Sequence, residues 1–157
     1  MAEIVQLLAS PISRYEGRPA DGPRPAPPGE LVERIEIRAN LGIVGDRYFG
    51  KPAHRDASVT VTAVEGVPAG ADLTQLRRNI LVRDLPVDDL VGTVLVLDSG
   101  DGPVRLRVNR RANPCAWMDA TIGPGARAAL RGKGGIRCTP LNDGVLWVGP
   151  IIATIER

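Results

Sequence analysis

Short apolar runs, each cut off within a few residues by glycine, proline or aspartate, set the limits on what this chain can fold into. Ser58-Val59-Thr60-Val61-Thr62-Ala63-Val64 is the clearest run: β-branched residues alternate with a period of two, which is the period of a strand. Val104-Arg105-Leu106-Arg107-Val108-Asn109 alternates apolar with polar, as a strand with one buried face does. Ile4–Ala9, Leu31–Arg38, Asn79–Val82, Thr93–Leu97, Ile136–Leu141, Val145–Val148 and Ile151–Ile155 read as further short strands. Ser99-Gly100-Asp101-Gly102 and Asn142-Asp143-Gly144 supply turns. Only Pro124 to Leu130 carries helix boundaries, with proline near its start and Gly132 beyond its end. The pattern predicts a mostly β single domain over residues 1–157, a barrel or sandwich with minor helix.

Between Gly17 and Gly29 lie five prolines and three glycines. That density excludes helix and predicts a surface loop. No apolar run approaches the ~20 residues of a membrane span. The N-terminus has no basic stretch leading into an apolar segment, and only two cysteines are present. The expectation is a cytoplasmic protein without membrane contact. The formal charge is +2, aromatic residues are few, and no basic helix is evident, so nucleic acid is not an expected partner. Arginine outnumbers lysine eighteen to two. Codon bias accounts for the ratio but not for the gathering of arginines at a few motifs.

Four segments carry candidate chemistry. Cys115 follows the Val104–Asn109 strand, behind Arg110, Arg111 and Pro114. Nearby guanidinium charge favours thiolate, the nucleophilic and metal-ligating form. Gly45-Asp46-Arg47-Tyr48-Phe49-Gly50-Lys51 places two glycines before a lysine, but Pro52 stands where a phosphate loop needs serine or threonine. Asp46 and Arg47 there are either a structural turn pair or a pocket edge. His54, the only histidine, is a candidate acid–base residue or an ordinary polar one; two-histidine zinc sites are excluded. Arg77-Arg78-Asn79 opens a strand, so the two arginines should point to opposite faces. Arg131-Gly132-Lys133-Gly134-Gly135-Ile136-Arg137 is either a basic anion cradle or a flexible turn. Cys138, within a strand, reads as a buried inert thiol.

In chain order, Gly45–Lys51, Arg77–Asn79 and Arg131–Arg137, with Pro114-Cys115 between the last two, resemble the MOSC family, the molybdenum cofactor sulfurase C-terminal domain. The resemblance runs from about Ala2 to Ile152. It implies a MOSC-like β-barrel with one or two short helices, acting on the molybdenum cofactor (molybdopterin). It implies that Cys115 carries sulfur as a persulfide or ligates molybdenum, in sulfur transfer or reduction of N-hydroxylated compounds. Arg47, Arg77, Arg137 and Lys133 would meet the phosphate, and Asn79 and Asn113 the pterin. Asp46 and His54 would orient or protonate. Because Arg78 stands where the family often has proline, Arg77 is the expected anion contact. No pyridoxal-phosphate or nucleotide motif is found, so a separate sulfur-donor or electron-donor protein is the expected partner. A non-catalytic cofactor-binding carrier is the other reading.

Overall fold

The computed structural model describes residues 1–157. Its strands are β1 (Glu3–Leu8), β2 (Leu31–Val32), β3 (Arg34–Arg38), β4 (Gly42–Ile43), β5 (Val59–Ala63), β6 (Ile80–Arg83), β7 (Val94–Asp98), β8 (Pro103–Arg111), β9 (Ile136–Pro140), β10 (Gly144–Trp147), β11 (Gly149–Pro150) and β12 (Ile152–Glu156). Three one-turn α-helices join them: α1 (Leu73–Leu76), α2 (Trp117–Thr121) and α3 (Ala126–Ala129). The protein is therefore β-dominated, as its alternating pattern implies.

The large sheet runs β11-β1-β6-β5-β9-β8-β7-β12, with β2 on β1. Its two ends, β11 and β12, are consecutive pieces of one segment, parted only by Ile151. The sheet must therefore curl until both edges meet on that segment. No continuous hydrogen-bonded ring closes; the chain itself spans the seam, and Pro150 cannot donate to a ladder. A smaller sheet, β10-β3-β4, lies beside it.

Alternation sorts the side chains into two layers. Val59 and Val61, Ile80 and Val82, Leu95 and Leu97, Val104, Leu106 and Val108, and Ile136 and Cys138 all fill the main core. The opposite face of β1, β5, β6 and β9 is covered as well. Leu8 and Leu81 pack there against Leu73 and Leu76 of α1, Met118 of α2, and Ala126 and Leu130 around α3. Such strands are buried on both sides, which is why β5 has no exposed residue. A cavity opens at the edge of this second layer.

The sequence pattern places one helix at Pro124–Leu130; the helix there spans Ala126–Ala129, and α1 and α2 are additional. The Gly17–Gly29 segment is loop apart from one 3-10 turn, Pro19–Asp21. No helix is long and apolar enough to cross a membrane.

Candidate functional site

The floor of the site follows from strand register. Thr60 on β5 lies directly opposite Arg137 on β9. Their neighbours Val59 and Cys138 point into the core, so Thr60 and Arg137 point to the helix-covered face. There they line a cavity of about 260 Å³. Tyr15, Arg47, Arg78, Asn113, Cys115 and Trp117 are among its other walls, and no carboxylate is.

Cys115 is exposed and unpaired, and Cys138 is buried and unpaired. Burial pushes the Cys138 thiol far up, which makes it inert. Cys115 owes its place to the end of β8. The Ala112 N–H donates to Gly135 O (2.8 Å), fixing the exit of the strand. Cys115 O then accepts from Met118 N–H (3.0 Å), which starts α2. Two residues on, Trp117 stacks on Tyr15, with ring centroids 5.0 Å apart and planes 9° apart. The Tyr15 hydroxyl donates to Gln75 O, and Arg14 Nη1 donates to Thr74 O (2.6 Å). These bonds hold the start of the proline-rich segment against α1 as a cavity wall.

The two adjacent arginines take different roles from those the strand alternation implies. Arg77 is not yet in the strand: it caps α1 in the left-handed conformation, at φ 58°. Its guanidinium turns inward to Glu30 (2.7 Å), Ser10 Oγ (3.1 Å) and Ile12 O (3.0 Å). With side chains only 4% and 2% exposed, Arg77 and Glu30 neutralise each other. Arg77 thus borders the cavity with both terminal nitrogens already bonded. Arg78 has no such partner. Its Nε donates to Gly134 O (3.0 Å), which aims the rest of the guanidinium at the cavity. Burial, then repulsion from Arg137, pushes its pKa down to about 10, with a Cys115 charge acting in the opposite direction. Arg137 is likewise lowered, by burial first and then by Arg110. Neither Arg78 nor Arg137 forms a salt bridge with a carboxylate. Two desolvated like charges facing one cavity are costly until an anion joins them.

Asp46 and Arg47 act as a unit. Asp46, fully buried, accepts from Ser10 N–H (3.1 Å) and Arg47 Nη1 (3.1 Å). Asp46 is therefore a buttress behind the cavity wall, and Arg47 the residue it presents. Arg47 also donates to Arg77 O (3.2 Å) and lies over the Tyr48 ring. His54 is exposed on a 3-10 turn, Pro52–Ala57, and packs on the outer side of Tyr48 at 4.5 Å between centroids. It is outside the cavity wall. Only the Pro52–Ala57 3-10 turn follows the Gly45–Gly50 loop, and no α-helix is there to complete a phosphate loop.

Two further expectations change. Asn79 is buried and its amide is occupied: Oδ1 accepts from Thr60 N–H and Oγ1 (3.0 Å each), and Nδ2 donates to Leu8 O (3.2 Å). It ties β5, β6 and β1 together, is buried, and is not part of the cavity wall. Lys133 lines a separate cavity with Glu65, Asp84 and Asp88, away from Cys115. The glycines beside it are packing positions. A Cβ on Gly134 would meet Ala112 O, and one on Gly135 would meet Val61 O, both under 3.0 Å. The Gly135 N–H is taken by Asp88 (2.9 Å). Asn113 and Arg137 do reach the cavity. Sequence reasoning passed over Arg78, Tyr15, Tyr48 and Trp117. The proximity of Tyr48 and Trp117 to Arg47 and Cys115 was an available signal; Arg78 had none, because the left-handed turn at Arg77 reverses the expected facing.

Two guanidiniums without carboxylate partners at one cavity predict a measurable stabilisation by anions. Sulfate or phosphate at about a hundred times its dissociation constant should raise the thermal midpoint by roughly 5–10 °C over matched chloride. Arg78→Gln should remove that rise, as read by differential scanning fluorimetry.

No protein-family model matches the sequence, and no curated protein matches it. Solved structures do share the fold. The YUAD protein from Bacillus subtilis superposes with a TM-score of 0.71 at 17% identity, covering 100% of this chain and 97% of that one. YiiM from Geobacillus stearothermophilus gives 0.60 at 18% identity, over 98% of this chain and 75% of that one. YiiM from Escherichia coli gives 0.56 at 13% identity, over 97% and 69%. At 13–18% identity, what these structures share with this chain is the fold.

Proposed function

We propose that the cavity receives the anionic part of the molybdenum cofactor and that Cys115 serves it, as persulfide sulfur carrier or as molybdenum ligand. The observation that carries this reading is the meeting of two carboxylate-free guanidiniums, Arg78 and Arg137, with an exposed thiol in one cavity. The residues present fit such a group. Guanidinium forks suit a phosphate. An exposed thiolate is a soft ligand suited to sulfur and molybdenum chemistry. At about 260 Å³ the cavity takes the charged end of the cofactor, leaving its remainder to the open surface.

In this reading Arg78 and Arg137 bind the phosphate, with Arg47 held beside them by Asp46. Asn113, exposed at the rim, has a free amide for the pterin edge. The Tyr15–Trp117 stack walls one side of the cavity, next to Cys115. When bound, the cofactor supplies a metal that takes a sulfur ligand or passes electrons to N-hydroxylated compounds. His54 is assigned a supporting role through Tyr48 rather than proton transfer at the thiol. A separate protein supplies electrons for any reduction.

The other reading, a carrier without chemistry, is favoured by a cavity that lies open to solvent at Cys115 and Asn113. The two readings part in one experiment. The protein is expressed in cells that make the molybdenum cofactor, and bound molybdenum and pterin are measured beside Cys115→Ala. Loss of molybdenum in the variant, with the fold intact by circular dichroism, identifies Cys115 as the ligand. Unchanged pterin and metal in the variant identify a carrier. Absence of both from well-folded wild type, with Cys115 still accepting sulfur, leaves transient sulfur transfer.

A further inference from the structure

Of the features around the cavity, the arrangement of charge speaks most directly to what reaches Cys115. Fourteen residues line the cavity and none is acidic. Arg47 is partly neutralised by Asp46 (3.1 Å) and Arg77 by Glu30 (2.7 Å). Arg78 and Arg137 remain as two uncompensated charges. The Gly134 carbonyl orients the first, and its register opposite Thr60 orients the second. Two fixed guanidiniums beside a thiol match a small dianion whose reactive atom must come to that thiol.

We infer that Arg78 and Arg137 seat thiosulfate by its sulfonate oxygens, with its outer sulfur presented to Cys115, so that the chain loads its own persulfide. The inference rests on the sulfur-carrier form of the reading above and replaces its donor protein with an inorganic donor. The Cys115 thiolate attacks the outer sulfur of thiosulfate. A bond forms between Sγ and that sulfur, and the sulfur–sulfur bond of thiosulfate breaks. The electron pair of the broken bond leaves on the sulfonate sulfur, which departs as sulfite. Charge is conserved: a thiolate and a dianion become a persulfide anion and a sulfite dianion. No external oxidant or reductant is required.

Electrostatics is the reason the guanidiniums matter. A thiolate and a dianion repel each other, and the transition state gathers three negative charges. Arg78 and Arg137 meet two of them with fixed donors, in a site that already excludes carboxylates. The cavity admits an ion this small whole. Sulfite departure frees the same forks for the next anion.

The test incubates purified full-length protein with thiosulfate. Sulfite is quantified, and the chain is weighed by intact mass spectrometry under non-reducing conditions. One sulfur added per chain, one sulfite released, and neither in Cys115→Ala is the expected result. Arg78→Gln and Arg137→Gln should each slow transfer about 10- to 100-fold. Alkylation of Cys115 by uncharged iodoacetamide should change far less. Sulfate, an unreactive dianion of similar shape, should inhibit the wild type competitively, a readout that needs no variant to fold. If inorganic polysulfide loads Cys115 and thiosulfate does not, the inference is overturned and the sulfur-carrier reading stands. If neither loads a well-folded wild type, both are overturned. Transfer unaffected by sulfate and by both arginine variants also overturns it.

Discussion

Glu30→Ala should lower the unfolding free energy by about 3–5 kcal/mol, because it leaves the Arg77 guanidinium charged and buried with no counter-ion. For a chain of this length that is a fall in thermal midpoint of roughly 6–20 °C. The pair is almost free of solvent and bonded at 2.7 Å, so screening does little to soften the loss. The arrangement is already under-satisfied: Glu30 Oε2 and Arg77 Nε have no hydrogen-bond partner. Removing both charges together, in Glu30→Leu with Arg77→Met, should therefore cost much less than the sum of the single changes. Urea denaturation of the two single variants and the double variant measures this. Near-additive losses would show that the pair acts as two independent groups. The same bond anchors the far end of the proline-rich segment, whose near end carries Ser13 and Tyr15 to the cavity wall. Glu30→Ala should accordingly raise the alkylation rate of Cys115 as well as lower stability.

Gly134→Ala should cost more than about 3 kcal/mol, beyond the usual range for overpacking. Its Cβ would fall under 3.0 Å from Ala112 O, and that neighbour is backbone, which has no rotamer to move aside. Relief requires displacing Ala112 to Pro114, the segment that delivers Cys115. Gly134 also offers the carbonyl that aims Arg78. One methyl group thus disturbs the thiol and the guanidinium together, and anion binding and Cys115 reactivity should fall along with stability. Gly132→Ala is the control. Gly132 has open space around it and a positive φ of 76°, so alanine there should cost only about 1–2 kcal/mol. Chemical denaturation of both variants decides the matter: equal costs would mean that the Gly134 contact yields easily.

Much of the strand layout was legible because a period of two needs only neighbouring residues to be read. Val59-Thr60-Val61-Thr62 and Val104-Arg105-Leu106-Arg107 show which face is buried wherever they are placed in space. Cys138 as an inert core thiol followed from the same alternation. The short helices were harder. A single turn of helix has too few residues to display a period of 3.6, so α2 left no pattern to read. For α1 a signal existed and was overlooked: Asp72 and Gln75 form a capping box, Asp72 accepting from Thr74 N–H (2.9 Å) while Gln75 accepts from Asp72 N–H (3.2 Å). The strand-forming Gly42-Ile43 pair is likewise too short to announce itself.

The candidate site divides along the same line. Residue types were enough to single out Cys115, Arg47 and Arg137 as groups with chemistry to offer, since thiol and guanidinium keep their character in any fold; Asn113 came only from the family resemblance. Which of the arginines remain uncompensated is a long-range matter. Arg77 is neutralised by Glu30, forty-seven positions away, while Arg78 is left bare and turned by the carbonyl of Gly134, fifty-six positions away. Asn79 is consumed by Thr60 and Leu8 for the same reason. Local sequence records what a side chain is able to bind. Burial and the partners brought together by folding decide what it has already bound, and only a group that folding leaves unpaired remains available to a ligand.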